Sequence, residues 1–234
     1  RVSRNFGCQM RHLDRGIRVE ILVDHMFTDH DPKVVAYLSS LGPGFQLKYF
    51  NPSVNRLSPS LLEKVTDATV DFHRYNARMH NKLFVVDERI AITGGRNISN
   101  EYYDQSIGRN YKDRDVLVLL PDADDVTDCL DLYWNDSHAV SSSEMLEVSK
   151  YLSDRSFVPD LNRSHFCSFA LLEELEAHTS DPNWIRRKFA NKLKPTEGVL
   201  WIYDSPEKIS LAPVLSSTVS QALTDAIASA RSEV

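Results

Sequence analysis

MHNKLFVVDERIAITGGRN, residues 79–97, is the stretch on which the interpretation of this 234-residue sequence depends. Two short apolar runs flank the charged residues 87–89, a pattern that predicts two adjacent strands joined by a tight turn. Alternate side chains of an extended segment share one face, so His80 and Lys82 are expected to lie side by side. The stretch therefore predicts a hairpin that carries an imidazole and an ammonium group together.

A glycine pair and an asparagine follow the second apolar run. Gly94 and Gly95 allow a sharp turn or the close approach of a ligand to the backbone, and Asn97 can return a side-chain amide to the same place. This combination predicts a phosphate site, because ammonium and amide groups hold phosphoryl oxygens while a neutral imidazole attacks phosphorus. The simpler alternative is a surface hairpin with an incidental histidine.

These positions also carry a family resemblance. His80-Asn81-Lys82, Asp87, Gly94-Gly95 and Asn97 are similar to the H-x-K-x₄-D-x₆-G-G-x-N signature of the phospholipase D superfamily, here called the HKD motif. The sequence most resembles bacterial cardiolipin synthases of the third type, more loosely from about Gly16 to Asn135 and again around residues 203–208. The resemblance implies an enzyme that transfers a phosphatidyl group from one phospholipid to the headgroup hydroxyl of another, without metal or cofactor.

The resemblance also implies a role for each motif residue. His80 would be the nucleophile or its acid/base partner, and Lys82 and Asn97 would hold the phosphoryl oxygens. Asp87 would organise the turn rather than touch substrate. The residues assigned to the substrate side are Gly94, Gly95, Arg96 and Arg78.

Carboxylates and arginines around the motif complete the candidate site. In the superfamily, a carboxylate at the start of the strand after the motif is expected to hydrogen-bond the catalytic imidazole, and Asp115 matches by position. Asp113 either lies with Asp115 at the entrance of this strand and takes part in the site, or faces solvent. Arg74 and Arg78 either add positive potential for an anionic substrate or are ordinary solvated charges.

The superfamily builds one active site from two such motifs, which implies that this chain supplies one half. One histidine forms a phosphohistidine while the other protonates the leaving alcohol, and the roles then reverse. None of the other histidines is followed two residues later by lysine; they are His12, His25, His30, His73, His138, His165 and His178. A second motif beyond Val234 and the pairing of two chains both remain open.

Composition limits the partners. A net charge of −6 disfavours a chain whose main work is nonspecific binding of nucleic acid, which usually needs a basic face. Cys8, Cys129 and Cys167 are widely spaced, so neither a disulfide framework nor a zinc site is indicated, and a reducing compartment fits best. The sequence has no apolar run of membrane-spanning length and no signal peptide. The resemblance to enzymes that act on phospholipids implies peripheral contact at the cytoplasmic face of a membrane.

Other polar clusters have simple explanations. His30 between two aspartates suggests a metal ligand, but helix capping explains the cluster. Asp136, Ser137 and His138 resemble a triad only in composition, because triads are assembled from distant segments. His165 and His178 are interpreted as packing or surface residues.

The predicted fold class is α/β, a layered α/β/α sandwich with a mixed central sheet, the phospholipase D-like half, plus a helical linker. Strands are expected at residues 16–24 and 45–50, with a helix from about Asp31 to Leu41 between them. Residues 115–120 are apolar on both faces and are expected to form a central strand. Helices are expected at 122–135, 171–178, 184–193 and 214–231, with a last strand at 198–203.

Three domains follow from this reading. Residues 1–138 form a first HKD domain, which we expect to be truncated at its N-terminus because the chain begins Arg-Val-Ser-Arg without Met. Residues 139–197 form a helical linker, and residues 198–234 resemble the start of a second such domain.

Three functions are compatible with the sequence. The first is a phosphatidyltransferase, with phospholipid as the substrate. The second is a phosphodiesterase of the same superfamily that cleaves lipid or nucleic acid with water as acceptor and works as a homodimer. The third is a non-catalytic half-domain.

Overall fold

The computed structural model describes residues 16–26, 31–52, 54–63, 65, 78–120, 124–157, 169–196, 199–206 and 218–230. Its strands are β1 (Val19–Asp24), β2 (Phe45–Phe50), β3 (Leu83–Val86), β4 (Ile90–Gly94), β5 (Asp115–Leu119) and β6 (Ala139–Ser141). Its α-helices are α1 (Pro32–Ser39), α2 (Asp124–Trp134), α3 (Leu146–Ser153), α4 (Phe169–Thr179), α5 (Pro182–Lys188) and α6 (Thr218–Ser229). The predicted α/β class is confirmed.

The first sheet has the order β1-β2-β6 and is mixed. β1 and β2 are parallel, with Val19 opposite Phe45, and α1 connects them as predicted. The N-terminus of α1 is fixed by Asp31, whose carboxylate accepts the N–H of Lys33 at 2.9 Å. β6 adds an antiparallel strand to β2.

The main core lies between this sheet and the helices α1 and α3. Its members are buried and come from segments far apart in sequence; they are Val35, Ala36, Leu38, Phe45, Leu47, Tyr49, Leu57, Met145 and Val148. β6 and α3 thus belong to the same packing unit as β1 and β2. The division into domains, with its first boundary at residue 138, stays a prediction.

The second sheet is an antiparallel meander in the order β3-β4-β5. The β3–β4 hairpin predicted from the motif is confirmed, with Leu83 opposite Thr93 and Val86 opposite Ile90. The six strands of the described residues form two three-stranded sheets, of which the first is mixed. β5 is not a central strand: it is an edge strand, and Val116 and Leu119 are 59% and 52% exposed.

The C-terminal part of the described chain is mainly helical. α4 covers the helix predicted at 171–178, α5 overlaps the first part of the one predicted at 184–193, and α6 lies within the one predicted at 214–231. The beginning of that last predicted helix, residues 214–217, lies outside the described residues. The strand predicted at 198–203 is wrong for residues 199–203, which form no strand. Val199 and Leu200 are 54% and 74% exposed, since no neighbouring strand pairs with this segment in the described part of the chain.

Candidate active site

His80 and Lys82 precede the hairpin, because β3 begins at Leu83. The expectation that His80 and Lys82 share one face of a strand is therefore wrong, because neither residue lies in a strand. They are adjacent through a different contact: the Lys82 amine donates a hydrogen bond to the carbonyl oxygen of His80 at 3.0 Å. His80 is exposed to solvent and Lys82 is half-buried. The ammonium group is thus anchored on the backbone of the residue that carries the imidazole.

Asn97 lies just beyond the end of β4. Its Nδ2 donates to the Tyr102 hydroxyl at 3.3 Å, which ties the motif to the following loop. The side chain remains exposed to solvent. The convergence of His80, Lys82 and Asn97 on one phosphoryl group stays a prediction.

The glycine pair is required by the close approach of β5. Gly94 is opposite Asp115 in the ladder, and a Cβ added to Gly94 would lie 2.7 Å from the Asp115 Cα. A Cβ added to Gly95 would lie 2.6 Å from the Asp113 carboxylate carbon. A side chain at Gly94 would meet backbone atoms, and one at Gly95 would meet the Asp113 carboxylate, so the two glycines bring two carboxylates close to the end of the hairpin.

Asp113 interacts with Lys82 across this end of the sheet. Partial burial lowers the pKa of the Lys82 ammonium from its ordinary value, and the negative charge of Asp113 opposes that shift. The Asp113 carboxylate also accepts the N–H of Arg114 at 2.8 Å. The sequence alone did not assign a role to Asp113. In the structure its negative charge acts on the Lys82 ammonium group.

Asp115 faces Arg96 rather than His80. Its Oδ2 lies 3.4 Å from Arg96 Nε, and Arg96 also donates to the carbonyl oxygen of Asp113 at 3.2 Å. Both ends of the expected His80–Asp115 hydrogen bond are described, and the bond is not formed. The physical reason is register: Asp115 is opposite Gly94, whereas His80 lies three residues before β3 begins.

Arg78 is buried in an ion pair and is not placed to meet an anionic substrate. Its Nη1 lies 3.7 Å from Asp24 Oδ1 and donates to the Asn51 carbonyl oxygen at 3.1 Å. The side chains of Arg78 and Asp24 are only 12% and 9% exposed. We revise the predicted role of Arg78 from substrate binding to positioning. Arg74 lies outside the described residues.

Asp24 is the residue that the sequence analysis missed. Its carboxylate accepts the N–H of Met79 and the N–H of Met26, each at 2.9 Å, so the end of β1 holds the residue immediately before His80. Burial raises the pKa of the Asp24 carboxyl, and the N–H groups together with Arg78 oppose that shift. The feature of the sequence that could have identified Asp24 is its position, because it is an acidic residue at the carboxyl end of an apolar strand.

The turn between β3 and β4 has an unusual backbone. Asp87 and Glu88 both adopt left-handed conformations, with φ of 50° and 53°, and the N–H of Arg89 donates to the Val86 carbonyl oxygen at 3.1 Å. Aspartate tolerates this region better than most residues. The position of Asp87 in the turn agrees with the role that the family resemblance implies.

Tyr133 of α2 ties the segment around residue 204 to the first part of the chain. Its hydroxyl donates to the Asp204 carbonyl oxygen at 2.9 Å. Burial raises the pKa of Tyr133 to about 12, so the phenol stays protonated and keeps donating. Asp204 in turn accepts the N–H of Val219 at 3.1 Å near the start of α6.

Asp136 and His138 contact each other across a turn, without the distant segment that a catalytic triad needs. His138 Nδ1 lies 2.7 Å from Asp136 Oδ1, which also accepts the N–H of His138 at 2.8 Å. Ser137 is not part of this contact. The pair closes the turn before β6, and the carbonyl oxygen of His138 accepts the N–H of Asn51 at 2.8 Å.

The remaining histidines add no ligand cluster. His178 stacks on Trp184 with ring centroids 4.4 Å apart, in agreement with a surface packing role. His30 and His165 lie outside the described residues. Among the residues that are described, no group of three His, Cys, Asp or Glu side chains is arranged to hold a metal ion.

The family model for "Cardiolipin synthase, PLD-like domain" matches residues 10–135, more than half of the chain. The chain belongs to this PLD-like family. The match contains the whole hairpin and the Asp113–Asp115 entrance, but it ends before β6 and α3.

Three curated relatives share this similarity. Cardiolipin synthase C of Escherichia coli K12 is 32% identical over 155 residues, which is 66% of this chain and 32% of the relative. Two uncharacterized proteins of Helicobacter pylori, from strains 26695 and J99, are 27% and 29% identical over 84% and 75% of this chain. The chain spans about a third of each relative, with 38% and 32% of the two Helicobacter proteins covered. No solved structure gives a significant match.

Proposed function

We propose that this chain supplies one half-site of a phosphatidyltransferase of the cardiolipin synthase type. The observation that carries the proposal is the pairing of an exposed His80 imidazole with a Lys82 ammonium held 3.0 Å from the His80 carbonyl oxygen. An imidazole and an ammonium group thus lie at the same end of one hairpin, where a phosphodiester can approach from solvent, and this supports the proposed half-site.

The first chemical step is attack by a neutral imidazole nitrogen of His80 on the phosphorus of a phospholipid. The N–P bond forms as the P–O bond to the leaving alcohol breaks, and an acid from the second half-site gives that alcohol its proton. Lys82 and Asn97 offset the negative charge that grows on the phosphoryl oxygens. In the second step an acceptor hydroxyl loses its proton to the same partner and takes the phosphatidyl group from His80.

The residues around the glycine pair act on Lys82 and Arg96 and take no part in the making or breaking of bonds. Asp113 opposes the lowering of the Lys82 pKa, which keeps the ammonium charged for the phosphoryl oxygens. Asp115 holds Arg96 near the motif, and Arg96 lies over the Tyr103 ring at 5.9 Å. In this arrangement Arg96 is a half-exposed cation beside the motif that can meet a headgroup phosphate.

The second half-site comes either from further sequence of the complete protein or from a second copy of this chain. The described residues contain one HKD motif, and the proposed reaction needs a second histidine as the acid. We further propose that the protein works at the cytoplasmic face of the membrane as a peripheral enzyme. In the described part of the chain, no helix is both long enough and apolar enough to cross a bilayer.

The test uses the complete protein and a phospholipid labelled in its phosphatidyl group. His80→Ala should reduce turnover to below about one per cent of the wild type and abolish an acid-labile labelled phosphoenzyme, because the attacking atom is gone. His178→Ala, in a surface histidine that stacks on Trp184, is the matched control and should retain full turnover. Substantial turnover by the His80→Ala protein would refute the proposal.

A second assay separates transfer from hydrolysis. The labelled phospholipid is incubated with and without a glycerol-type acceptor, and in parallel with labelled DNA. Product that carries the acceptor supports a phosphatidyltransferase. Release of phosphatidic acid at the same rate with and without acceptor, or cleavage of DNA, would assign the site to a phosphodiesterase instead.

A further inference from the structure

The rim loop, defined here as residues 98–112, is ordered by its own contacts. It begins with a 3₁₀ helix at Asn100–Tyr103, and the N–H of Tyr111 donates to the Glu101 carbonyl oxygen at 2.8 Å. Lys112 pairs with Asp104 at 2.7 Å across the base of the loop. These contacts close the loop on itself, in the manner of a compact Ω-loop.

The tip of the rim loop is fixed by one asparagine. The Asn110 side chain accepts the N–H of Ser106 at 3.2 Å and donates to the Ser106 carbonyl oxygen at 3.1 Å. The Gly108 N–H donates to the Ser106 hydroxyl at 3.3 Å. Ile107, between these residues, is fully exposed, with a relative accessible surface of 107%. A fixed tip therefore holds an isoleucine out in water.

This exposure does nothing for the stability of the chain, because an aliphatic side chain gains free energy only when it leaves water. Ile107 also has apolar neighbours within the loop region. Ile98, Tyr103 and Tyr111 are 61%, 47% and 44% exposed. An ordered loop that displays several apolar side chains is typical of a contact surface.

The charge of the rim loop limits the partner. The rim loop contains two acids, Glu101 and Asp104, and two bases, Arg109 and Lys112, and Lys112 is paired with Asp104. The tip, residues 105–111, carries Arg109 as its one charged residue, although the whole chain has a net charge of −6. Arg109 is exposed, and Arg114 is exposed just beyond the loop. The interface of an anionic bilayer is a partner that binds an aliphatic tip, tyrosines and cations together.

The rim loop is also joined to the candidate active site. Tyr102 accepts the hydrogen bond from Asn97, and the Tyr103 ring lies under the Arg96 guanidinium. A membrane that receives the tip would therefore lie next to the HKD motif. Headgroup phosphates in that membrane would be presented to His80 without leaving the interface.

We propose that the rim loop docks this protein on an anionic phospholipid surface, with Ile107 entering the apolar boundary and Arg109 meeting headgroup phosphates. The proposal rests on the proposed function, because it takes the substrate to be a membrane lipid. A second protein surface, from another copy or from further sequence of the complete protein, is the competing occupant.

Sedimentation of the complete protein with vesicles tests the docking. Ile107→Glu should reduce binding to vesicles of phosphatidylcholine and phosphatidylglycerol by about tenfold or more, because one aliphatic side chain no longer enters the bilayer. Arg109→Gln should weaken binding only when phosphatidylglycerol is present. The matched control is Ile227→Glu in α6, where the isoleucine is 57% exposed, and it should bind as the wild type does.

Activity on a short-chain phospholipid dispersed as monomers gives the second readout. Ile107→Glu should turn this substrate over as the wild type does, while losing activity on vesicles in step with binding. Unchanged vesicle binding would overturn the proposal. An equal loss on both substrates, or a changed oligomeric state by size-exclusion chromatography, would also overturn it, because the tip would then contact protein.

The His80→Ala protein keeps the two proposals distinguishable. It should bind vesicles like the wild type and show no turnover. If it remains active while Ile107→Glu loses vesicle binding, the proposed chemistry fails and the docking surface stands.

Discussion

At the scale of single residues, the glycine pair shows most directly how the motif is built. The two glycines differ in what a side chain would meet. A Cβ on Gly94 would lie 2.5 Å from the Arg114 carbonyl oxygen and 2.7 Å from the Asp115 Cα, both backbone atoms of β5 or its entrance. A Cβ on Gly95 would meet the Asp113 carboxylate, which can rotate away.

Gly94→Ala is therefore expected to destabilise the complete protein by about 1–3 kcal/mol, since β4 and β5 must separate to admit the methyl group. Gly95→Ala should cost less and act mainly on Lys82, by displacing Asp113. Denaturant unfolding measures both free energies. The control is Gly108→Ala, where a Cβ would approach nothing closer than the Ser106 hydroxyl at 4.0 Å. Equal stability of the Gly94 and Gly108 variants would contradict the close-approach explanation.

At the scale of elements, the end of β1 determines where the HKD motif begins. Asp24 receives the Met79 N–H and faces Arg78, so two residues directly before His80 are held by the first sheet. The first sheet thereby positions His80, which lies just before β3, the first strand of the second sheet. We infer that the Asp24–Arg78 pair is a positioning device rather than part of the chemistry.

Removing one member of this pair leaves a charge that is almost fully buried. Asp24→Asn and Arg78→Met are each expected to destabilise the protein by about 3 kcal/mol or more, because the remaining charge loses its partner. The double variant should cost clearly less than the two single costs added together. Denaturant unfolding of the four proteins measures this coupling.

The same variants separate positioning from folding. At a temperature where Asp24→Asn remains folded, its phosphoenzyme should form more slowly while binding of a substrate analogue changes little, because His80 is displaced. Arg56→Met, which removes a more exposed ion pair with Glu63, is the control for loss of a salt bridge. If the Asp24 variant forms phosphoenzyme at the wild-type rate, the pair has only a structural role.

At the scale of the whole molecule, β6 and α3 complete the first core. Met145 and Val148 are fully buried with residues of α1 and β2, although they follow the end of the matched family region. The connection continues toward the C-terminus, where Tyr133 reaches Asp204 and Asp204 reaches the start of α6. The first unit is therefore larger than the hairpin and βαβ segments alone.

Met145→Ala tests this larger unit. Its side chain is fully buried, so the substitution is expected to cost about 2–5 kcal/mol through lost burial and a cavity. Leu146→Ala, at the next residue but 38% exposed, should cost much less. Thermal unfolding of the complete protein measures both, and similar melting temperatures would show that α3 lies outside the core.

Much of the secondary structure could be predicted because its signals are local. Alternation predicts β1, a capping aspartate predicts the start of α1, and the two apolar runs predict the hairpin. The strand predicted at 198–203 failed for its described residues, since an apolar run needs a neighbouring strand that periodicity cannot supply. The contact between Asp136 and His138 was also missed, because it depends on the conformation of one turn.

By itself, the sequence determined the α/β class, the hairpin and the chemical groups of the HKD motif, since these follow from residue type and spacing along one segment. Only the tertiary structure decided that Arg78 pairs with Asp24, that Asp115 faces Arg96, and that β5 is an edge strand. Each of these contacts joins segments that are separated in the chain. Register and burial select such partners, and neither property is written in the local pattern of residues.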